Sequence, residues 1–149
     1  MIFGPPDILK RIYIYSQLVS WDLKISNNPI INRDYKIPEI LDDSEHPDGK
    51  RAVTSAGSLY DLISPTEKSL KTVGEFNEAR IKVKNNQVEH WQNGKKILAY
   101  EYGSNTINEL IAKSKFKSMP LFAKANSGHV GLQHHGEEVW YRNIRIRKL

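Results

Sequence analysis

The stretch GHVGLQHHGEEVWYRNIRIRKL, residues 128–149, decides the fold class that the sequence predicts. Apolar and polar residues alternate from Val130 and again from Val139, as on strands with one buried face. The polar turn between them contains Gly136, whose backbone tolerates a sharp reversal. The chain then alternates between isoleucine and arginine from Ile144 to Arg147. This stretch predicts a β-hairpin with an apolar inner face and a cationic outer face.

Polar residues gather at the turn of this hairpin. Gln133 precedes two adjacent histidines, His134 and His135, and Arg142 and Asn143 follow on the second strand. Any antiparallel sheet with a basic outer face would account for the alternation, but not for this cluster. We therefore treat the cluster as a candidate site or a cap of the sheet. The two histidines point to opposite faces if the strand continues through them, so we do not expect them to chelate one ion together.

Length and composition limit the class of protein and its partners. A chain of 149 residues suits one domain, and its aromatic and β-branched residues favour a sheet protein. Without cysteine it has no disulfide framework and no thiolate ligand or nucleophile. The net charge of +5 raises nucleic acid as a partner, but the cations are scattered, which argues against it. The chain contains no apolar run of membrane-spanning length and no evident targeting segment.

Turn signals divide the rest of the chain into strands and one helix. Alternation at 19–25 and 75–84, together with turn signals, predicts strands at residues 19–25, 56–62, 75–84, 87–92 and 95–102. Asn85-Asn86 and Asn93-Gly94 predict tight turns between the last three of these strands. The helical candidate is 105–115, with Asn105 as its cap and one apolar face formed by Ile107, Leu110 and Ile111. Residues 44–55 are a polar loop, and 8–18 fit either a short helix or a strand.

Several segments, in order along the chain, resemble a known family. They are YKIPEILDD (35–43), SEHPDGKRAVTS (44–55), VEHWQNGK (88–95) and the closing motif, with GHVGLQ (128–133), HG (135–136) and VWYRNIRI (139–146). Together they resemble the 3-keto-disaccharide hydrolase family. The resemblance implies an all-β fold with one short helix, an antiparallel β-sandwich of the concanavalin-like jelly-roll type. It also implies an atypical leader at 1–18 and a single jelly-roll domain at 19–149 without the family's front strands.

The resemblance implies a carbohydrate-active enzyme that cleaves glycosides carrying a ketone at sugar carbon 3. This ketone acidifies the C2 hydrogen, so a base removes it, the glycosidic oxygen leaves by elimination, and water then adds. Glu39 would be the base, His135 the acid or a metal ligand, and Arg142 the group that stabilises the enolate oxygen. The implied substrate-binding residues are Gln133, Asp43, His46 and Trp140. A periplasmic or extracellular location follows from the same resemblance.

The sequence departs from the family pattern at two positions. Ile37 occupies a position that is often acidic in the family, and His134 occupies one that is often aspartate. A lectin-like sugar-binding module without catalysis is therefore an alternative, and an inactive fragment of the family is another.

Structural roles are the alternative for the individual candidates. Glu39 would then be a solvated strand residue, and Arg142 would form an ion pair with Asp42 or Asp43. Asp43, His46 and Glu39 would also suit a Ca²⁺- or Zn²⁺-type site, although we assign no metal.

The hairpin motif around Asn93 has structural expectations of its own. For His90 and Asn93 we expect packing and turn chemistry. For Trp91 and Trp140 we expect burial in the core, with stacking on a sugar ring as the alternative.

Overall fold

The structure is a computed structural model that describes residues 10–15, 41–124 and 139–145. This part of the chain forms one five-stranded sheet and one α-helix. The strands are β1 (Lys10–Tyr15), β2 (Phe76–Lys84), β3 (Gln87–Gln92), β4 (Lys95–Glu101) and β5 (Val139–Arg145), in the order β4-β3-β2-β1-β5 across the sheet. The helix α1 spans Asn105–Lys113, and 3₁₀ turns span Pro47–Lys50 and Lys115–Ser118.

Two tight turns build the antiparallel part of the sheet, as the sequence predicted. Strand β2 pairs with β3, and β3 pairs with β4, each in antiparallel register. Asn85 has a φ of 53°, and at the second turn Asn93 and Gly94 have φ values of 48° and 81°. Asparagine and glycine tolerate this left-handed backbone better than other residues, which is why the turns occur at these positions.

A register shift opposite His90 and Trp91 lets β4 turn two consecutive side chains toward the core. Ile97 and Leu98 are 1% and 5% exposed, whereas strict alternation would leave one of them outside. The carbonyl of Ile97 accepts hydrogen bonds from both the backbone N–H (2.8 Å) and the hydroxyl (3.1 Å) of Thr66. The irregular strand is thereby fixed to the loop that covers it.

Strand β1 differs from the antiparallel arrangement that the resemblance implies, because it pairs in parallel with both β2 and β5. Parallel neighbours need long connections, and the chain provides them, since β1 is separated from both partners by long stretches of sequence. Strand β1 lies within the residues that we interpreted as a leader.

The segment 56–62, predicted as a strand, is instead a series of turns with one isolated bridge between Leu59 and Ile63. Gly57 and Asp61 have φ values of 87° and 59°, which no regular strand contains. Its apolar residues are buried by turns, so the strand prediction is wrong here. The polar loop before it is confirmed, although part of it is buried: Thr54 and Ser55 are 1% and 0% exposed and bond to nearby carbonyls.

The helix is confirmed, with a different cap. Ser104, not Asn105, caps α1, and its hydroxyl accepts a hydrogen bond from the backbone N–H of Ile107 at 3.3 Å. The apolar face of α1 packs on the core, with Ile107 3% exposed. The core lies between this helix, the 3₁₀ turn after it, the turns at 56–63 and β4, and consists of Leu59, Leu62, Ile97, Leu98, Ile107, Phe116 and Phe122.

The predicted class, an all-β protein with antiparallel strands and one short helix, is confirmed apart from the pairing of β1. The predicted strand at 19–25, residues 35–40 of the segment that resembles the family, and the first half of the terminal hairpin lie outside the described residues. The second half of that hairpin is β5.

Candidate functional site

The residues that the sequence proposed for a site divide into two groups. Asp43, His46, Trp140 and Arg142 belong to the described part of the chain, and Glu39, Gln133 and His135 lie outside it. The assignment of Glu39 as the base and His135 as the acid thus stays a prediction. The local geometry of the first group shows what each of its side chains already holds.

Asp43 joins the loop that follows it to a lysine far along the chain. Its Oδ1 accepts the backbone N–H of Ala56 at 2.8 Å, and its Oδ2 accepts Lys68 Nζ at 2.5 Å. Lys68 Nζ also donates to the buried Ser55 hydroxyl at 2.9 Å. The backbone of Gly49 approaches Asp43 so closely that any side chain at that position would collide with it. Both carboxylate oxygens are therefore engaged, and a sugar hydroxyl would have to compete with them.

Lys68 is a residue that sequence reasoning missed. It lies 25 residues from Asp43 in a segment without regular structure, so no local pattern connects the two. The lysine and aspartate side chains are 31% and 18% exposed, which makes this ion pair less screened than one on the open surface.

His46 caps the 3₁₀ turn at Pro47–Lys50. Its Nδ1 accepts the backbone N–H of Asp48 at 3.1 Å, so Nδ1 is the unprotonated ring nitrogen. A contact with substrate would accordingly use Nε2. The Asp48 side chain in turn accepts the hydroxyl of Tyr60 at 3.0 Å, which ties this turn to the segment at 56–63.

Arg142 lies exposed on β5, and its guanidinium sits 3.8 Å from the centre of the Phe76 ring on β2. This cation–π contact holds the guanidinium in place above the ring. Asn143 follows with a φ of 56°, and the β1–β5 register shifts at this level. Such irregularities occur next to active sites, where they re-aim a side chain. Asp43, one of the two carboxylates considered as a partner for Arg142, is held by Lys68 instead.

Trp140 precedes Arg142 by two positions, so the two residues share a face of β5. Trp140 is partly exposed rather than buried in the core. This position keeps an aromatic surface next to the fixed guanidinium.

His90 is a structural histidine, as the sequence predicted. It is completely buried, its Nδ1 is 3.2 Å from the carbonyl oxygen of Gly57, and its ring meets Tyr100 edge to face. If Nδ1 carries the proton, Nε2 has no hydrogen-bond partner among the described residues. Burial lowers the pKa of His90 to about 4, although the bond to Gly57 opposes this shift. Burial also raises the pKa of the Tyr100 phenol.

The neighbours of His90 in the same motif hold a second loop. Gln92 accepts the backbone N–H of Ser69 with its side-chain oxygen at 3.0 Å. Asn93 exchanges bonds with Glu78: its Oδ1 accepts the backbone N–H at 2.7 Å, and its own N–H donates to the carbonyl at 2.9 Å. Its Nδ2 donates to Asn77 Oδ1 at 2.8 Å and to the Ser69 carbonyl. The turn-chemistry expectation for Asn93 is confirmed.

Trp91 does not lie in the core, contrary to the expectation from the sequence. The strand alternation places His90 and Gln92 on the buried face and Trp91 on the opposite one, where it is partly exposed. Its cross-strand neighbours are Arg80 and Lys96. The period of a strand shows that neighbours face opposite ways but not which face is buried, so the sequence could not decide this.

Two further searches concern only the described ranges. In 10–15, 41–124 and 139–145, no three histidine, aspartate or glutamate side chains come together as a metal site would require. Within those same ranges, α1 is the longest helix, and none is long and apolar enough to cross a membrane.

Comparison with known proteins gives consistent matches. The model of the 3-keto-alpha-glucoside-1,2-lyase-like domain family matches residues 12–147. A 3-keto-disaccharide hydrolase of Bacteroides thetaiotaomicron is 36% identical over 124 residues, which cover 74% of this chain and 43% of that protein. The chain thus spans less than half the length of this relative.

A crystal structure from Parabacteroides distasonis, described as that of a candidate glycosyl hydrolase, is 25% identical. The match covers 50% of this chain and 34% of that one, with a TM-score of 0.47, which is too low to assign a fold.

Proposed function

Because the chain belongs to the 3-keto-alpha-glucoside-1,2-lyase-like domain family, we propose that it cleaves glycosidic bonds of 3-keto-disaccharides. The observation that supports this most strongly is the family match from residue 12 to 147, together with 36% identity to a 3-keto-disaccharide hydrolase. The substrate class, an oxidised glycoside, and a periplasmic or extracellular location are parts of the same proposal.

In the proposed reaction, Glu39 takes the C2 proton, and the electron pair moves toward the C3 ketone as an enolate. The enolate then expels the glycosidic oxygen, which takes a proton from His135. Water adds across the resulting double bond and restores the 3-keto sugar, so the sum is hydrolysis. The base and the acid each exchange one proton with solvent to return to the starting state.

Arg142 is proposed to stabilise the enolate oxygen. A charge that is already in place when the transition state forms needs no reorganisation, and this is the usual source of such stabilisation. The Phe76 ring supports the guanidinium at 3.8 Å, and the backbone of the next residue, Asn143, is irregular, with a φ of 56°. A guanidinium has five N–H donors, so it can bind a further oxygen beside its structural contacts.

Trp140 and Gln133 are proposed to position the sugar, whereas the roles suggested for Asp43 and His46 are narrower. Asp43 supports the site indirectly, because both of its carboxylate oxygens hold the surrounding loop. His46 would contact substrate only through Nε2, since Nδ1 caps the turn.

A lectin-like binding module is the second candidate. It is favoured by Ile37, which stands where the family often has an acidic residue, and by the engagement of Asp43. A module of this kind would bind the sugar without turning it over.

Turnover of a 3-keto-disaccharide, followed by NMR as release of the two monosaccharides, separates the candidates. We expect turnover by the wild type and none by His135→Ala, with unchanged far-UV circular dichroism. Arg142→Lys keeps the charge but loses the planar donors, and we expect about a hundredfold loss of kcat, as for removal of one oxyanion donor. Binding without turnover by the wild type would contradict the enzyme and support the lectin.

A further inference from the structure

The three antiparallel strands β2, β3 and β4 carry an aromatic side chain on the face that is turned away from the buried residues of β3. On β3, His90 and Gln92 are buried and bonded to loops, while Trp91 faces the other way and is partly exposed. The residues opposite it on the neighbouring strands are Arg80 and Lys96. The indole thus lies between two cations on the face of β3 opposite to the buried His90 and Gln92.

A hydrogen bond fixes the orientation of the indole, which is partly buried. Trp91 Nε1 donates to Glu89 Oε2 at 3.0 Å. Glu89 also pairs with Lys82 on β2 (3.6 Å) and Lys96 on β4 (3.5 Å), so one carboxylate joins all three strands. A pre-ordered aromatic ring loses little conformational entropy when a ligand covers it.

The surroundings of the ring are polar, reachable and mixed in charge. Lys82 and Lys96 are 42% and 48% exposed. Arg80, whose guanidinium carbon is 5.9 Å from the Trp91 ring centre, pairs with Glu78 at 3.1 Å, and both are about one-third exposed. Hydrogen-bond donors and acceptors thus surround the apolar indole ring.

We propose that Trp91 forms a sugar-binding subsite beside the proposed site of cleavage, on the face of the sheet that carries Arg142. Arg142 lies over Phe76, and Phe76 shares a face of β2 with Arg80, the neighbour of the indole.

One face of a neutral pyranose ring stacks on Trp91, and the ring hydroxyls accept from Lys82 and Lys96, whose ammonium groups have donors beyond their pairs with Glu89. A pyranose has an apolar C–H face with polar groups at its edge, which matches an aromatic plate with a polar rim. The residues around the indole have no part in the proposed proton transfers, and the choice of a sugar as ligand rests on the proposed function.

Charge argues against other occupants of this face. A nucleic acid or an acidic polysaccharide would have to compete with Glu78 and Glu89 for the cations that these carboxylates already pair with. An apolar protein segment would bury several charged side chains around a single aromatic ring, at a cost in desolvation. A neutral sugar avoids both penalties.

Binding of unoxidised disaccharides tests the surface independently of turnover. Trehalose and maltose are titrated into the chain and followed by saturation-transfer NMR, with Trp91→Leu, Trp91→Phe and Lys84→Ala as variants. Lys84 is the matched control, because it lies on the same strand and face as Lys82 but pairs with Gln87, away from the indole. We expect Trp91→Leu to weaken binding about tenfold, equivalent to about 1.4 kcal/mol, Trp91→Phe to weaken it less, and Lys84→Ala to leave it unchanged.

Trp91→Leu should turn over the 3-keto-disaccharide with a kcat near that of the wild type but with a KM raised severalfold, and its circular dichroism should match that of the wild type. If Trp91→Leu does not fold, Lys96→Gln replaces it and should weaken binding severalfold. If the wild type does not bind these disaccharides, or if Trp91→Leu binds them with equal affinity, the proposed sugar-binding role of Trp91 is refuted. Tighter binding of a single-stranded oligonucleotide or a uronic-acid disaccharide through Trp91 overturns the neutral sugar as its ligand. A wild type that binds trehalose without turning over the 3-keto substrate refutes the cleavage activity alone.

Discussion

The hairpin around Asn93-Gly94 and the terminal strand β5 both match the family's pattern, but the structure uses their polar residues differently. In the hairpin, His90 is completely buried and Asn93 bonds to Glu78, Asn77 and Ser69. In β5, the run from Arg142 to Arg145 is exposed. Both segments contain polar residues beyond those that the alternating pattern of a half-buried strand requires.

This difference teaches that a shared motif can mark a scaffold as well as a site. The polar side chains of the hairpin form hydrogen bonds within the protein, and these bonds hold the loops at Gly57 and Ser69. The Arg142 guanidinium is fixed over an aromatic ring and remains open to solvent. Substitutions in the hairpin should therefore affect stability, and substitutions in β5 should affect activity.

The largest effect on stability is expected for Asn93→Ala. This change removes the side-chain bonds to three residues and leaves alanine at a φ of 48°. At about 1 kcal/mol for each hydrogen bond, plus the strain, the free energy of unfolding should fall by about 3 kcal/mol.

Asn85→Ala is the matched control for that experiment. Asn85 has nearly the same backbone, with a φ of 53° at the other turn, but it bonds no other described residue through its side chain. Its substitution should cost about 1 kcal/mol from strain alone. Equal losses in urea denaturation of the two variants would show that the Asn93 side chain is not an anchor.

A second comparison concerns Gly57→Ala and Gly94→Ala. Both glycines have positive φ, but a Cβ at Gly57 would collide with the buried Ile97 side chain, whereas Gly94 has open space around it. We expect a loss of about 2–3 kcal/mol at Gly57, from strain and overpacking, and about 1 kcal/mol at Gly94. If thermal unfolding ranks the two variants in the reverse order, the segment at Gly57 is not packed on β4 as described.

Local sequence signals predicted much of the fold. Asn85-Asn86 and Asn93-Gly94 gave the turns, and the 3.6-residue period gave α1, because both depend on neighbouring residues only. The misassigned segment at 56–62 has its apolar residues buried by left-handed turns at Gly57 and Asp61, which alternation does not reveal.

The candidate site was less predictable, because its contacts join distant parts of the chain. The Lys68–Asp43 pair and the Arg142–Phe76 contact have no periodic signature. The outward direction of Trp91 depends on which face of the sheet is covered, and that is decided by the turns at 56–63 and α1.

Acid should act on the hairpin through His90. Its pKa is about 4 in the folded protein, because of burial, and about 6.5 when unfolded. The unfolded state binds more protons between these values, so stability is complete above pH 6.5 and falls as the pH drops toward 4. The slope approaches about 1.4 kcal/mol per pH unit.

His90→Leu isolates this contribution from the carboxylates that titrate in the same range. The variant is expected to be less stable at pH 7, because the Gly57 carbonyl loses its donor, and to have a flatter pH profile between 6.5 and 4. Parallel profiles for the two proteins, measured by urea denaturation, would show that His90 is not buried in its neutral form.

The smallest effect on stability, with the largest on activity, is expected at Arg142, and this is where the account is tested most directly. Arg142→Gln removes an exposed cation–π contact worth about 0.5–1 kcal/mol and the charge proposed to stabilise the enolate. Free energy of unfolding and turnover of a 3-keto-disaccharide should be measured on the same preparation, beside Asn93→Ala at a temperature where both are folded. We predict less than about 1 kcal/mol of lost stability in Arg142→Gln, with a loss of kcat of about a hundredfold or more, and near wild-type kcat in Asn93→Ala. Undiminished turnover in Arg142→Gln would contradict the assignment of β5 to the site.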